Sequence, residues 1–94
     1  MGTAIVTMKI MPESPEVERG PITEKAKEII ASFTEGDPEQ FKIEEEPVAF
    51  GLVAVKITFV MDESKGSLDS VEEEIAKIEG VNSCEVSDMR RAIG

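Results

Sequence analysis

The residue types that do chemistry are few in this chain. No histidine occurs among its 94 residues, and Cys84 is its one thiol. Ser-His-Asp, Cys-His and Cys/His metal constellations are therefore excluded by composition. Cys84 lies between Ser83 and Glu85 in an alternating run and reads as a small core residue, without a partner for an internal disulfide. The run Glu72-Glu73-Glu74 falls in the early turns of an expected helix, where the macrodipole favours negative charge, so it reads as helix-stabilising. We expect no catalytic residue, no metal and no cofactor. Two groups remain. Phe50 stands beside Gly51 in the short connection Pro47 to Gly51, and Arg90-Arg91 stand next to each other near the C-terminus. A loop phenylalanine either tucks under its own domain or waits for a partner. Arg90 and Arg91 are two of the three arginines and the only cations after Lys77. Their guanidinium forks suit carboxylate or phosphate oxygens, though they could also merely offset an acidic surface.

The charge limits what those groups can contact. Twenty acidic against ten basic residues give a net charge of −10. Nucleic acid and anionic membranes both call for a cationic surface, so neither is expected as a partner. With Trp and Tyr absent, the usual stacking platform for single-stranded bases is missing too. No long apolar run and no basic-then-apolar leader occur, which makes a reducing cytoplasm the expected location.

The elements that must position these residues follow from periodicity. Thr3 to Met11 alternates, with Ala4, Val6, Met8 and Ile10 inward, and Pro12 to Pro15 ends that strand. After Gly20-Pro21, the residues Ile22, Ala26, Ile29, Ile30 and Phe33 recur at helical spacing until Gly36-Asp37-Pro38. Gln40 to Glu46 reads as a second strand, with Phe41 and Ile43 inward and Lys42 and Glu44 outward. A third, central strand ends at Met61 and turns Val53, Val55, Ile57, Phe59 and Met61 to the core. Ser67 or Ser70 can cap a second helix, Ser70 with Glu73 fitting a capping box, and Leu68, Val71, Ile75 and Ile78 form its stripe. Gly80 stops that helix, and Val81 to Met89 reads as a fourth strand with Cys84 and Val86 inward.

Strand, helix, strand, strand, helix, strand is the ferredoxin-like order: one α+β domain over 1–94, with a four-stranded antiparallel sheet and two helices on one face. Right-handed crossovers place the first and third strands centrally, flanked by the fourth and second. Taking the central strands as parallel to each other, the turn bearing Phe50 and the terminal Arg90-Arg91 are expected at the same end of the domain.

Glu46-Pro47-Val48-Ala49-Phe50-Gly51-Leu52-Val53-Ala54-Val55 resembles the hairpin of the guanine-nucleotide-exchange domain of translation elongation factor 1-beta. Met11 to Pro15 and Val86 to Arg91 resemble its short archaeal members. The resemblance spans essentially the whole chain and implies the same fold, with a role in releasing GDP from elongation factor 1-alpha so that GTP can replace it. The implied partner is that GTPase, GDP-bound and nucleotide-free. In eukaryotic relatives a hairpin phenylalanine docks into the GTPase and a lysine near the C-terminus reaches the magnesium and phosphate region. By resemblance, Phe50 and Gly51 form the hairpin contact, and the basic residue is most nearly Arg91, with Arg90 beside it. Arginine here is planar and bulkier than lysine, and the chain continues three residues past Arg91.

Other readings remain open. A small-ligand regulatory module of this fold, pairing as a homodimer, could use the outward apolar set Ile5, Met11, Leu52, Ala54 and Val60. RNA recognition on the open sheet face would need aromatics where Thr7, Lys9, Lys56 and Thr58 stand. An acylphosphatase-like hydrolase lacks a paired nucleophile and base.

Overall fold

A computed structural model describes residues 2–92; Met1 and the terminal Ile93-Gly94 lie outside the described residues. The elements are β1 (Thr3–Pro12), α1 (Arg19–Thr34), β2 (Lys42–Pro47), β3 (Val53–Asp62), α2 (Asp69–Ala76) and β4 (Val81–Ala92). The strands form one sheet in the order β2-β3-β1-β4, and each neighbouring pair is antiparallel. This is the expected ferredoxin-like α+β arrangement.

Alternation decides which face is buried. Ala4, Val6, Met8 and Ile10 of β1 are buried, as are Val55, Ile57, Phe59 and Met61 of β3. They pack with Ile22, Ala26 and Ile30 of α1, and with Val71 and Ile75 of α2, in one cluster. Spacings of four residues put each helical set on a single stripe, and both stripes join the one cluster, so both helices cover the same sheet face. α1 ends with Glu35 in the left-handed region (φ 58), one residue before the expected glycine stop. α2 begins at Asp69, with Ser67 Oγ accepting the Asp69 N–H at 3.1 Å. Ser70 therefore lies inside the first turn, and the Ser70–Glu73 capping box does not form.

Three expectations about the strands are corrected. Residues 38–40 form a 3-10 turn, so β2 starts at Lys42 rather than Gln40. Phe41 precedes the strand yet still meets Phe59, with ring centroids 5.8 Å apart. The second correction concerns direction. β1 and β3 run antiparallel, with Thr3 opposite Asp62 and Ile10 opposite Val55. A crossover helix keeps β1 and β2 parallel, and the hairpin then reverses the chain once, so β3 must oppose β1.

The third concerns β4, which runs on to Ala92 because it pairs with β1 as far as Thr3. That pairing contains a β-bulge. Thr7 faces Asp88 and Met8 faces Val86, which leaves Ser87 as the extra residue. Its hydroxyl donates to the Thr7 carbonyl at 3.2 Å. One added residue exchanges the two faces of everything after it. Cys84 and Val86 share the helix face with Ile10 and Met8, but beyond the bulge that face passes to Met89 and Arg91, opposite Val6 and Ala4. Asp88 and Arg90 take the open face, opposite Thr7 and Ile5.

Candidate docking sites at the two ends of the sheet

The β2–β3 hairpin is closed by its own backbone. Val48 N–H donates to the Leu52 carbonyl at 2.8 Å, and Leu52 N–H donates to the Ala49 carbonyl at 3.2 Å. The residues between them turn through positive φ, Phe50 at 61° and Gly51 at 77°. Glycine takes that region freely, but phenylalanine does so at a cost. Pro47 fits the end of an edge strand, where no N–H is needed. The outcome is that Phe50 is 93% exposed, so its ring does not tuck into the core. Gly51 lies near Pro15 of the β1–α1 loop, which therefore belongs to this same end.

At the other end of the sheet, Arg90 and Arg91 are strand residues rather than a mobile tip. Arg90 Nε donates to Asp88 Oδ2 at 3.0 Å, two residues back on the same face. Ala4, Met61, Gly66, Met89 and both arginines line a cleft of about 370 Å³. Met89 is 55% exposed there. On the opposite face Ile5 and Val60, which pair across β1 and β3, are exposed beside Arg90. Sequence patterning did not single out Met89 or this cleft. Only the bulge turns Met89 to the helix face, and an ordinary serine does not advertise a bulge.

The structure does not bring Phe50 and Arg90-Arg91 together. Val53, next to the hairpin, and Met61, beside Ala4 and Arg91, are the ends of a run of eight residue steps in β3. At about 3.3 Å per residue, roughly 26 Å of strand separates them. The expected shared end is thereby overturned, by the antiparallel course of β1 and β3.

Between the two ends, the open face is polar. Glu44, Lys56, Lys9 and Glu85 form a row across all four strands. Lys56 pairs with Glu46, whose carboxyl it holds below the ordinary carboxylate range through their hydrogen bond, while the Lys56 ammonium is raised in turn. Thr7 and Thr58 hydroxyls meet at 3.1 Å in the next row. On the helix side, Arg19 Nε donates to Glu45 Oε2 at 2.9 Å and lowers that carboxyl likewise. The Thr7–Thr58 and Lys9–Lys56 rows separate Ile5 and Val60 from Met11, Leu52 and the buried Ala54, so this outward set does not make one continuous apolar patch. Cys84 is half-buried, and burial, with Glu72 and Glu85 nearby, pushes its thiol up to about 12. Such a thiol is unreactive at neutral pH. Among the described residues no group of His, Cys, Asp or Glu is arranged to hold a metal, and no helix is long and apolar enough to cross a membrane.

Fold and ends together define a class: a small ferredoxin-like α+β domain with an exposed aromatic ring at one end and guanidinium groups at the other. The family model described as the EF-1 guanine nucleotide exchange domain matches residues 5–92, and the chain belongs to that family. It is 44% identical over 91 residues to elongation factor 1-beta of Methanobrevibacter smithii, covering 97% of this chain and 98% of the relative. Elongation factor 1-beta of Methanothermobacter thermautotrophicus is 42% identical over the same shares. That of Methanoculleus marisnigri is 43% identical over 86 residues, covering 92% of this chain and 93% of the relative. These relatives are archaeal translation elongation factors, which supports a role in EF-1 nucleotide exchange.

Proposed function

We propose that this chain, acting as one domain over 1–94, promotes exchange of GDP for GTP on elongation factor 1-alpha by docking at both of its ends. Phe50, presented by Gly51, inserts into an apolar recess of the GTPase. Arg90 and Arg91 reach the magnesium and phosphate region at the far end. The observation that carries this reading is the Phe50 ring, 93% exposed on a backbone held in the left-handed region. An isolated domain gains no burial from that arrangement, and a binding partner can supply it. Family membership supports elongation factor 1-alpha as that partner.

The mechanism needs no covalent step and no bound cofactor. A guanine nucleotide is held largely through Mg²⁺ and its phosphates, so cations introduced among those contacts loosen it. By linkage, nucleotide weakens the factor's binding by the same ratio, and rebinding of GTP in the cytoplasm releases the factor. A thousandfold loosening corresponds to ~4 kcal/mol. Burial of one phenylalanine contributes ~1.5–3 kcal/mol. Hydrogen bonds from a charged guanidinium contribute ~1.5–3 kcal/mol. Together the two ends contribute ~3–6 kcal/mol, a range that spans the ~4 kcal/mol required, whereas neither end alone reaches it.

Release of fluorescent GDP from elongation factor 1-alpha tests this directly. The wild-type chain should accelerate release, and Phe50→Ala and Arg91→Ala should each reduce the acceleration by roughly 10- to 100-fold. Full acceleration by both variants would remove these residues from the site. No acceleration by the wild type would remove the function itself.

A further inference from the structure

An exposed ring serves a partner only if the turn beneath it holds one direction. Two backbone hydrogen bonds close the Phe50 turn from within, and β2 is an edge strand, paired with β3. Two contacts reach the hairpin from outside, both from the segment that leads into α1. Pro15 lies beside Gly51, where an added Cβ would stand 3.7 Å from its Cγ. Four residues on, Arg19 opens α1 and reaches Glu45 of β2, its Nε donating to Oε2 at 2.9 Å and its Nη2 to Oε1 at 3.4 Å. The two contacts fall on either side of Phe50 in the chain, Glu45 before it and Gly51 after.

That segment is itself fastened to the body of the domain. Glu13 N–H donates to the Gly80 carbonyl at 2.8 Å, and Val17 N–H donates to the Ser14 carbonyl at 3.2 Å. Val17 also packs at Gly80, where no side chain intervenes. The Pro15 ring removes one backbone rotation from the loop. A two-pronged guanidinium–carboxylate pair fixes orientation as well as distance, which a single contact does not. An exposed pair adds little to stability, so what Arg19 and Glu45 supply is geometry. A ring already aimed spares a complex the entropy of ordering it.

We propose that Pro15 and Arg19 are positioning residues for exchange: they brace the hairpin from the β1–α1 side, so that Phe50 meets the GTPase in one preset direction. They act through Phe50 rather than by touching the partner. This role rests on the reading in which Phe50 docks.

Amide relaxation and GDP release together provide the test. In the wild-type chain the Phe50 and Gly51 amides should have order parameters near about 0.85, and in Pro15→Gly/Arg19→Gln they should fall below about 0.6. The same variant should accelerate GDP release from elongation factor 1-alpha about fivefold less than the wild type. Exchange of charges separates positioning from contact. Arg19→Glu should also slow release, and Arg19→Glu/Glu45→Arg, which restores the pair with its ends reversed, should recover most of the wild-type rate. In a Phe50→Ala background the Pro15 and Arg19 substitutions should make no further difference, because the ring they aim is gone. Pro15 and Glu45 are exposed and Arg19 is half-buried, and a thermal melt confirms that each variant is folded. Unchanged order parameters, a reversed pair that does not rescue, or a further loss in the Phe50→Ala background would each overturn the proposal. If Phe50→Ala drives release as fast as the wild type, the docking reading falls and this role with it. If Phe50→Ala is slow while the Pro15 and Arg19 variants are not, the bracing role alone falls.

Discussion

Holding Phe50 at φ 61 and ψ 29 costs about 1 kcal/mol, because its Cβ crowds the following carbonyl in the left-handed region. With the ring 93% exposed, the folded domain recovers almost none of that through burial. Stability and binding therefore place opposite demands on this one position. Asparagine tolerates the left-handed region better than phenylalanine does and carries no ring. Phe50→Asn should leave the melting temperature unchanged or raise it, by up to ~8 °C if the full strain is relieved in a domain of this size. GDP release driven by the same preparation should fall roughly 10- to 100-fold. A melting temperature several degrees lower would instead make the ring a structural residue. Phe50 was legible in the sequence only as a choice between tucked and waiting. Residue type and a neighbouring glycine do not report which way a turn aims its side chain.

At the level of elements, the alternation in β1 and β3 and the helical stripe of α1 were readable because burial on one face imposes a period on the chain. Ile22, Ala26 and Ile30 are buried, and Glu24, Lys25 and Glu28 are exposed, as that period requires. What escaped were features set by pairing between strands. The bulge at Ser87 and the extension of β4 to Ala92 depend on how far β1 reaches, which no local pattern in residues 81–92 encodes. The α2–β4 turn shows the same kind of dependence, and it is testable. Gly80 has φ 93, and a Cβ built there would lie 2.8 Å from Val17 Cγ1, closer than such atoms approach. The sequence reads Gly80 as the stop of α2, which instead ends at Ala76, and the contact of Gly80 with Val17 is made across the β1–α1 loop. Gly80→Ala should cost the left-handed penalty plus a packing penalty, together about 2–4 kcal/mol. At ~4–8 °C per kcal/mol, thermal unfolding should come at least ~8 °C earlier. A loss of only a few degrees would mean that Val17 yields easily and that the loop is loosely strapped.

The whole molecule is a strut. Its longest Cα extent is 42 Å against 22 and 21 Å for the others, and the central strands β1 and β3 run without a break in their mutual pairing from Thr3 to Ile10. An aromatic ring at one end and guanidinium groups at the other therefore cannot share a single recess on a partner. If both engage one partner as proposed, they reach two places on it, roughly 26 Å apart as measured along β3. This separation has an energetic signature. Substitutions more than about 10 Å apart with no common partner atom combine additively to within ~0.5 kcal/mol. The Phe50→Ala and Arg91→Ala effects on GDP release, expressed as free energies, should then sum in the double variant. If each single change slows release about thirtyfold, the double should slow it about a thousandfold, equivalent to ~4 kcal/mol. The cycle also distinguishes the order of events. When docking of the ring must precede entry of the arginine, removing Phe50 already forfeits the arginine's contribution, and the double variant is no slower than Phe50→Ala alone. Additivity would mark the ends as independent contacts that a stiff sheet merely holds at a fixed spacing. A double variant indistinguishable from Phe50→Ala alone would reject that independence and make the hairpin the step on which the arginines wait.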